Sequence, residues 1–156
     1  MRCIPVYDFQ MEVMSFVERG LWAGRRSFGP SKAIGFANEA DGLVAGAVFH
    51  DYDPDSNVIE VSAFSTKRYW CSRSNLQALF DYPFRQLGVR LLIARHSETN
   101  TRARRIWSAL GAEEVLIPEL WSEGTAAAIA VLRRDTWLNS KFASKEHGQA
   151  QSANAA

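Results

Sequence analysis

The chain is expected to fold as one α/β domain built on a mixed β-sheet, and three observations carry that expectation. Short β-branched or apolar runs recur along its 156 residues. Two segments with apolar residues at three- and four-residue spacing lie between such runs, which demands crossover connections and a partly parallel sheet. Turn signals rich in Gly, Asp and Asn separate the remaining runs into hairpins.

Residues 4–7 form a short extended start. Asp8 is placed to cap a helix through about Arg19, with Met11, Met14, Phe16 and Val17 as apolar positions and Gly20 as its stop. Residues 23–32, rich in Gly, Ser, Pro and Arg, read as a loop. Residues 33–38 and 43–50 read as strands joined through Asp41-Gly42, a hairpin signal. A turn over 51–56 leads to a third strand at 58–64. A polar loop, 65–73, carries Tyr69 and Trp70. Residues 74–88 follow as a helix, with Leu76, Leu79, Phe80, Phe84 and Leu87 on one face and a break expected at Pro83. Residues 89–95 are a fourth strand, and 100–110 a helix opening on Asn100 and closing at Gly111. A hairpin, 115–121 with 126–133, completes the domain at about residue 138. The stretch 139–156 is polar and rich in Ala, Gln and Ser, and is expected to be a disordered tail.

Hydrophobic residues make up 47% of the chain and the formal net charge is +1. The first value supports a packed core and the second supplies no global field for nucleic acid or an anionic membrane. Basic residues nevertheless cluster locally, at Lys67, Arg68 and Arg73 and again at Arg95, Arg102, Arg104 and Arg105. A basic pocket in a neutral protein suits a small polyanion better than a duplex. Cys3 and Cys71 have neither metal-like nor redox-like spacing, so both read as free thiols, and no metal is expected. The longest apolar runs are too short to span a bilayer and no signal-peptide pattern opens the sequence, which makes the cytoplasm the expected location.

The segment Asn100-Thr101-Arg102-Ala103-Arg104-Arg105-Ile106-Trp107-Ser108-Ala109-Leu110-Gly111-Ala112 follows a strand. Its spacing resembles the N-x-x-A-x-x-x-Y-x-x-x-G-F signature of the GNAT superfamily of N-acetyltransferases. The run Phe80 to Val89 further resembles GNAT-like proteins of tailed phages and prophages. The resemblance implies a mostly antiparallel twisted sheet whose two central parallel strands splay, and acetyl-CoA as co-substrate. In that family a loop R/Q-x-x-G-x-G/A grips the pyrophosphate; here Arg68-Tyr69-Trp70-Cys71-Ser72-Arg73 stands in its place. Arg68 matches, whereas Cys71 and Arg73 replace small residues that let backbone approach phosphate. Arg73 can instead offer a bidentate guanidinium, or block the pocket.

By the same resemblance, backbone N–H groups near Ala63, Phe64 and Ser65 polarise the thioester carbonyl, and Asn100 and Arg104 help hold the cofactor. Read from its residues alone, Asn100 is a helix N-cap. Trp107 stands where many members carry a Tyr that protonates the leaving thiolate. Indole has a donor but no usable acidity, so Trp107 reads as a core aromatic. Deprotonating an amine needs a carboxylate or a histidine nearby. Glu60, a charge in the middle of an apolar strand, is the first candidate, and His96 the second, with His50 and Asp51 behind them. Glu60 reads equally well as an exposed residue paired with an Arg. The reading is therefore an acetyl-CoA-dependent N-acetyltransferase that acts on a small or protein-borne amine by direct attack. Its alternative is a GNAT-fold protein without catalysis that binds a partner. A homodimer is compatible with the last hairpin.

Overall fold

The structure is a computed structural model and describes residues 1–143. One seven-stranded sheet organises it, in the spatial order β1-β2-β3-β4-β5-β7-β6. The strands are β1 (Ile4–Val6), β2 (Lys32–Asn38), β3 (Gly42–Asp53), β4 (Val58–Ser65), β5 (Leu91–Ser97), β6 (Glu113–Ser122) and β7 (Thr125–Arg133). The helices are α1 (Gln10–Trp22), α2 (Arg73–Asp81), α3 (Thr101–Ala109) and α4 (Arg134–Leu138). All neighbouring strands pair antiparallel except β4 and β5, which are parallel because α2 carries the chain from one back to the start of the other. The expected mixed sheet is present, with its single parallel pair at the centre.

While its edge strand β6 is exposed along its length, the sheet packs a core on each face. On one, Val13 and Val17 of α1 pack on Ala33 and Val48. Gly35 and Gly46 let the helix come this close, since a Cβ on either would meet Val13 or Val17 side-chain atoms at 2.7 and 2.9 Å. On the other face, α2, α3 and α4 cover a larger core containing Phe36, Phe49, Phe80, Leu92, Leu132 and Trp137. Burial of such side chains contributes about 1.5–3 kcal/mol each.

Two local expectations change, and a third takes a specific form. Asp8 does not cap α1; the N-cap is Phe9, without a side-chain cap hydrogen bond. Gln10 fixes this end instead: its Oε1 accepts from the Ala33 N–H at 2.7 Å and its Nε2 donates to the Ala33 carbonyl at 2.7 Å. Gly20 does not stop the helix, which continues to Trp22 and ends at Ala23 in the left-handed conformation (φ 52°). Gly20 is small because the Phe64 ring lies against it. The break at Pro83 takes the form of a widened π turn over Tyr82–Gln86, in which the Leu87 N–H reaches the Tyr82 carbonyl at 2.9 Å. Proline has no N–H to lose in such a turn.

The chain also continues past the expected domain end. Trp137 of α4 is fully buried, Ala143 is buried, and Arg73 donates to the Lys141 carbonyl. Residues 144–156, most of the expected tail, lie outside the described residues. None of the described helices is long and apolar enough to cross a membrane.

Replacing Gly20 by Ala places a Cβ 2.1 Å from the Phe64 ring. Overpacking of this kind is expected to cost about 1–3 kcal/mol. Urea unfolding of Gly20→Ala should show a lower midpoint at an unchanged slope.

Candidate active site at the fork of the sheet

β4 and β5 pair only over Val58–Val61 and Leu91–Ala94. Beyond that point each keeps its outer neighbour. β4 stays on β3 as far as Ser65 opposite Ala45, and β5 stays on β7 as far as Ser97 opposite Ala127. The two halves of the sheet therefore diverge into a fork. Ala63 and Arg95 are exposed although they belong to the two central strands. Alternate backbone N–H groups along 62–65 have lost the strand they would otherwise bond, and face the opening.

Side chains alternate across the sheet, so the fork has two different sides. Glu60, Ser62 and Phe64 face α1. Glu60 lies opposite Ile93 in register, which puts Arg95 on the same face. The Glu60 carboxylate is 21% exposed, 3.7 Å from the Arg95 guanidinium and 3.6 Å from His50 Nε2. His50 Nε2 is 2.8 Å from Ser62 Oγ, and its Nδ1 is 2.5 Å from Asp51 Oδ2. The loop after α1 closes this side with aromatic rings: Phe28 lies 5.1 Å from the His50 ring and 4.8 Å from Trp22, and Arg26 stacks over Trp22. The ligand atoms of His50, Asp51 and Glu60 fall within 4.8 Å of one another. Each His50 nitrogen already faces a protein partner and Glu60 faces Arg95. This suits proton movement better than a cation.

His96 lies on the other face, with Leu92 and Ala94 of the α2–α3 core. It is buried, its Nε2 has no hydrogen-bond partner among the described residues, and burial pushes its pKa down, with Glu114 opposing and Arg104 reinforcing. Glu60 and His96, the two predicted base candidates, are thus separated by the sheet and do not face one acceptor.

The predicted cofactor residues sit on this second face. Ser72 caps α2, its hydroxyl accepting from the Asn75 N–H at 3.2 Å. Tyr69 and Trp70 lie half-buried in a 3₁₀ turn; Tyr69 bonds Asp41 at 2.7 Å and Asn38 at 2.8 Å, while Trp70 lies 5.2 Å from Phe36. Both aromatics anchor the loop rather than line the fork. Arg68 and Arg73 are exposed. Burial pushes the Cys71 thiol up, and the positive charge of Arg102 opposes the shift, placing the first turn of α3 beside this loop. Asn100 caps α3 by accepting from the Ala103 N–H at 3.1 Å. Arg104 makes a bidentate pair with Glu114 at 2.7 and 3.0 Å and donates to the Glu98 carbonyl, so three of its five N–H donors are already engaged. Trp107 packs edge-on against Phe80 at 5.7 Å, as a core aromatic would.

Sequence reasoning did not single out Ser62. His50 pairs with Glu60 across the β3–β4 hairpin, after a register shift that no local pattern encodes, and this pairing brings Ser62 diagonally to His50.

By sequence, no family model and no curated protein matches this chain. By structure it is similar to the spermidine N-acetyltransferase SpeG from Vibrio cholerae. One phenylalanine-to-glycine variant aligns with TM-score 0.71 at 9% identity, over 88% of this chain and 97% of that one. Glutamate-to-glutamine variants of the same spermidine/spermine N-acetyltransferase align with TM-score 0.61 at 12% identity, over 70% of this chain and 67% of theirs. The fold is that of the GNAT acetyltransferases.

The neutral His96 has a consequence for stability. Its folded pKa lies below the ordinary histidine value near 6.5. As pH falls through about 6.5 the unfolded chain takes up a proton that the folded chain refuses, so stability declines until the lower folded pKa is reached. Melting curves from pH 8 to pH 5 should show this decline, and His96→Leu should flatten it.

Proposed function

We propose that the fork is an acyl-transfer cleft and that the protein is an acetyl-CoA-dependent N-acetyltransferase acting on a small or protein-borne amine. The observation that carries this reading is the divergence of β4 and β5 with the Glu60 carboxylate at its base. Acetyl-CoA supplies an acetyl group activated as a thioester. The start of α2, with Arg68, Ser72 and Arg73, together with Arg102 on the adjoining α3, offers N–H groups, helix dipole and guanidinium charge to a pyrophosphate. The open backbone along Ala63, Phe64 and Ser65 offers N–H donors to the carbonyl where negative charge develops.

On the α1 side, Glu60 accepts a proton from the incoming ammonium, directly or through water, with the Arg95 guanidinium 3.7 Å from its carboxylate. Aromatic rings of Trp22 and Phe28 shield that approach from solvent. Trp107 packs half-buried against the Phe80 ring and carries no acid, so the departing thiolate takes its proton from water. His96 has no part in this scheme, because it faces the other core.

A second reading is favoured by one observation: Arg73 of the phosphate loop is bonded to the Lys141 carbonyl. Under that reading the fold is retained, catalysis is lost and the protein binds a partner.

Calorimetry with acetyl-CoA separates the two. The enzyme reading expects micromolar binding that Arg68→Ala weakens by about tenfold, the loss of one charge-assisted contact. It further expects Glu60→Gln to lower kcat by on the order of a hundredfold or more on a panel of amines, with little change in acetyl-CoA affinity. Absence of binding up to millimolar acetyl-CoA would leave the binding module.

A further inference from the structure

The fork contains a hydrogen-bonded series that direct amine attack does not use. It runs from Ser62 Oγ to His50 Nε2 at 2.8 Å, and from His50 Nδ1 to Asp51 Oδ2 at 2.5 Å. An activated nucleophile requires this arrangement: a hydroxyl, a base within hydrogen-bond reach, and a third group that orients the base. We propose that Ser62, His50 and Asp51 form a nucleophile relay that takes an acyl group onto Ser62 Oγ and releases it to water, making the fork a hydrolase of small acyl esters and thioesters.

Three independent features support the assignment. Ser62 is the first residue of β4 beyond the last β5 partner, so its hydroxyl stands where the sheet opens. The His50 imidazole side chain is only 11% exposed and is held against the Phe28 ring, which fixes its orientation. Asp51 adopts the left-handed conformation (φ 54°) inside an irregularity of the β3–β4 pairing, which breaks strand alternation and lets two consecutive side chains, His50 and Asp51, meet. A non-glycine residue held this way is a feature that clusters at functional sites.

The steps balance without another reagent. With Nδ1–H donating to Asp51, Nε2 is the free acceptor. As Ser62 Oγ attacks the acyl carbonyl, its proton passes to Nε2. The Oγ–C bond forms, the bond to the leaving thiolate or alkoxide breaks, and the leaving group takes the proton from Nε2. Water then attacks the acyl-Ser62 carbonyl and gives a proton to Nε2. The C–Oγ bond breaks, and Ser62 recovers that proton. The net change is ester or thioester plus water to carboxylic acid plus alcohol or thiol. Glu60, 3.6 Å from Nε2, stabilises the imidazolium present between proton transfers. Donors for the acyl oxygen come from the unpaired backbone of β4 beyond Val61.

This activity requires only an acyl donor that fits the fork and is independent of coenzyme A. The test therefore uses p-nitrophenyl acetate with the full chain, following p-nitrophenol release and intact mass after acid quench. The expected result is a burst of p-nitrophenol and a mass gain of one acetyl group that maps to the peptide containing Ser62. Ser62→Ala should abolish both at an unchanged melting temperature. His50→Gln should slow release by on the order of a hundredfold, the usual contribution of a general base. Ser62→Cys should retain an adduct, now a thioester. An adduct that persists in Ser62→Ala, that maps to Cys71 or a lysine, or that never forms while the protein is folded would overturn the relay. Failure of acetyl-CoA binding with acetyl-Ser62 still formed would remove the acetyltransferase reading and leave the hydrolase. Amine acetylation without acetyl-Ser62 would do the reverse.

Discussion

Everything at the centre of this molecule depends on a parallel ladder only four residues long. Val58 to Val61 and Leu91 to Ala94 hold the two halves of the sheet together, and nothing in the backbone joins them beyond. The closed end is reinforced by contacts outside the ladder. The Arg90 guanidinium donates to the Ser56 carbonyl, the Arg90 N–H to the Asn57 carbonyl, and Asn57 and Arg134 side chains both donate to the Gly88 carbonyl. Asn57 and Gly88 sit at positive φ, which lets these tight turns present their carbonyls inward. A fork laced at one end and open at the other can be rigid where it must hold geometry and accessible where a substrate must enter.

The same divergence assigns the two faces different work. Toward α2 and α3, the strands carry Ile59, Val61, Leu92 and Ala94, and the imidazole of His96, buried on this face, is pushed toward its neutral form by burial. Toward α1 they carry Glu60, Ser62 and Arg95, joined by His50 from β3. A charge costs least to keep where water or a counter-charge can reach it, and Glu60 has both. Titratable and charged side chains therefore collect on the α1 face, while the starts of α2 and α3 lie on the opposite face.

How much of this was legible in the sequence follows from what each residue responds to. Strands and helices could be read because the two-residue and 3.6-residue periods are local properties of the chain. The start of α1 could not, because Gln10 answers to the backbone of Ala33, a partner 23 residues away. Gly20 carries the signature of a helix stop, yet it answers to the Phe64 ring on a distant strand. Glu60 and His96 could each be marked as unusual in an apolar strand. That they lie back to back depends on the register pairing Glu60 with Ile93, and no local pattern encodes which residues of two parallel strands meet. Asn100 could be read correctly as a cap because capping is a contact three residues long.

The phosphate loop shows how a departure from a sequence pattern can be interpreted through geometry. Small residues there allow backbone to approach an anion, and Cys71 and Arg73 remove that freedom. Arg73 compensates only if its guanidinium can be held in place, since a long flexible side chain loses conformational entropy when it binds. The segment following α4 supplies that hold: Trp137 and Ala143 are buried in the core, and the Lys141 carbonyl between them accepts from Arg73. One carbonyl uses only part of a guanidinium that carries five N–H donors. The contact orders the Arg73 side chain and takes up part of its donor capacity. Through this contact the chain beyond β7 is tied to the loop that leads from the fork into α2.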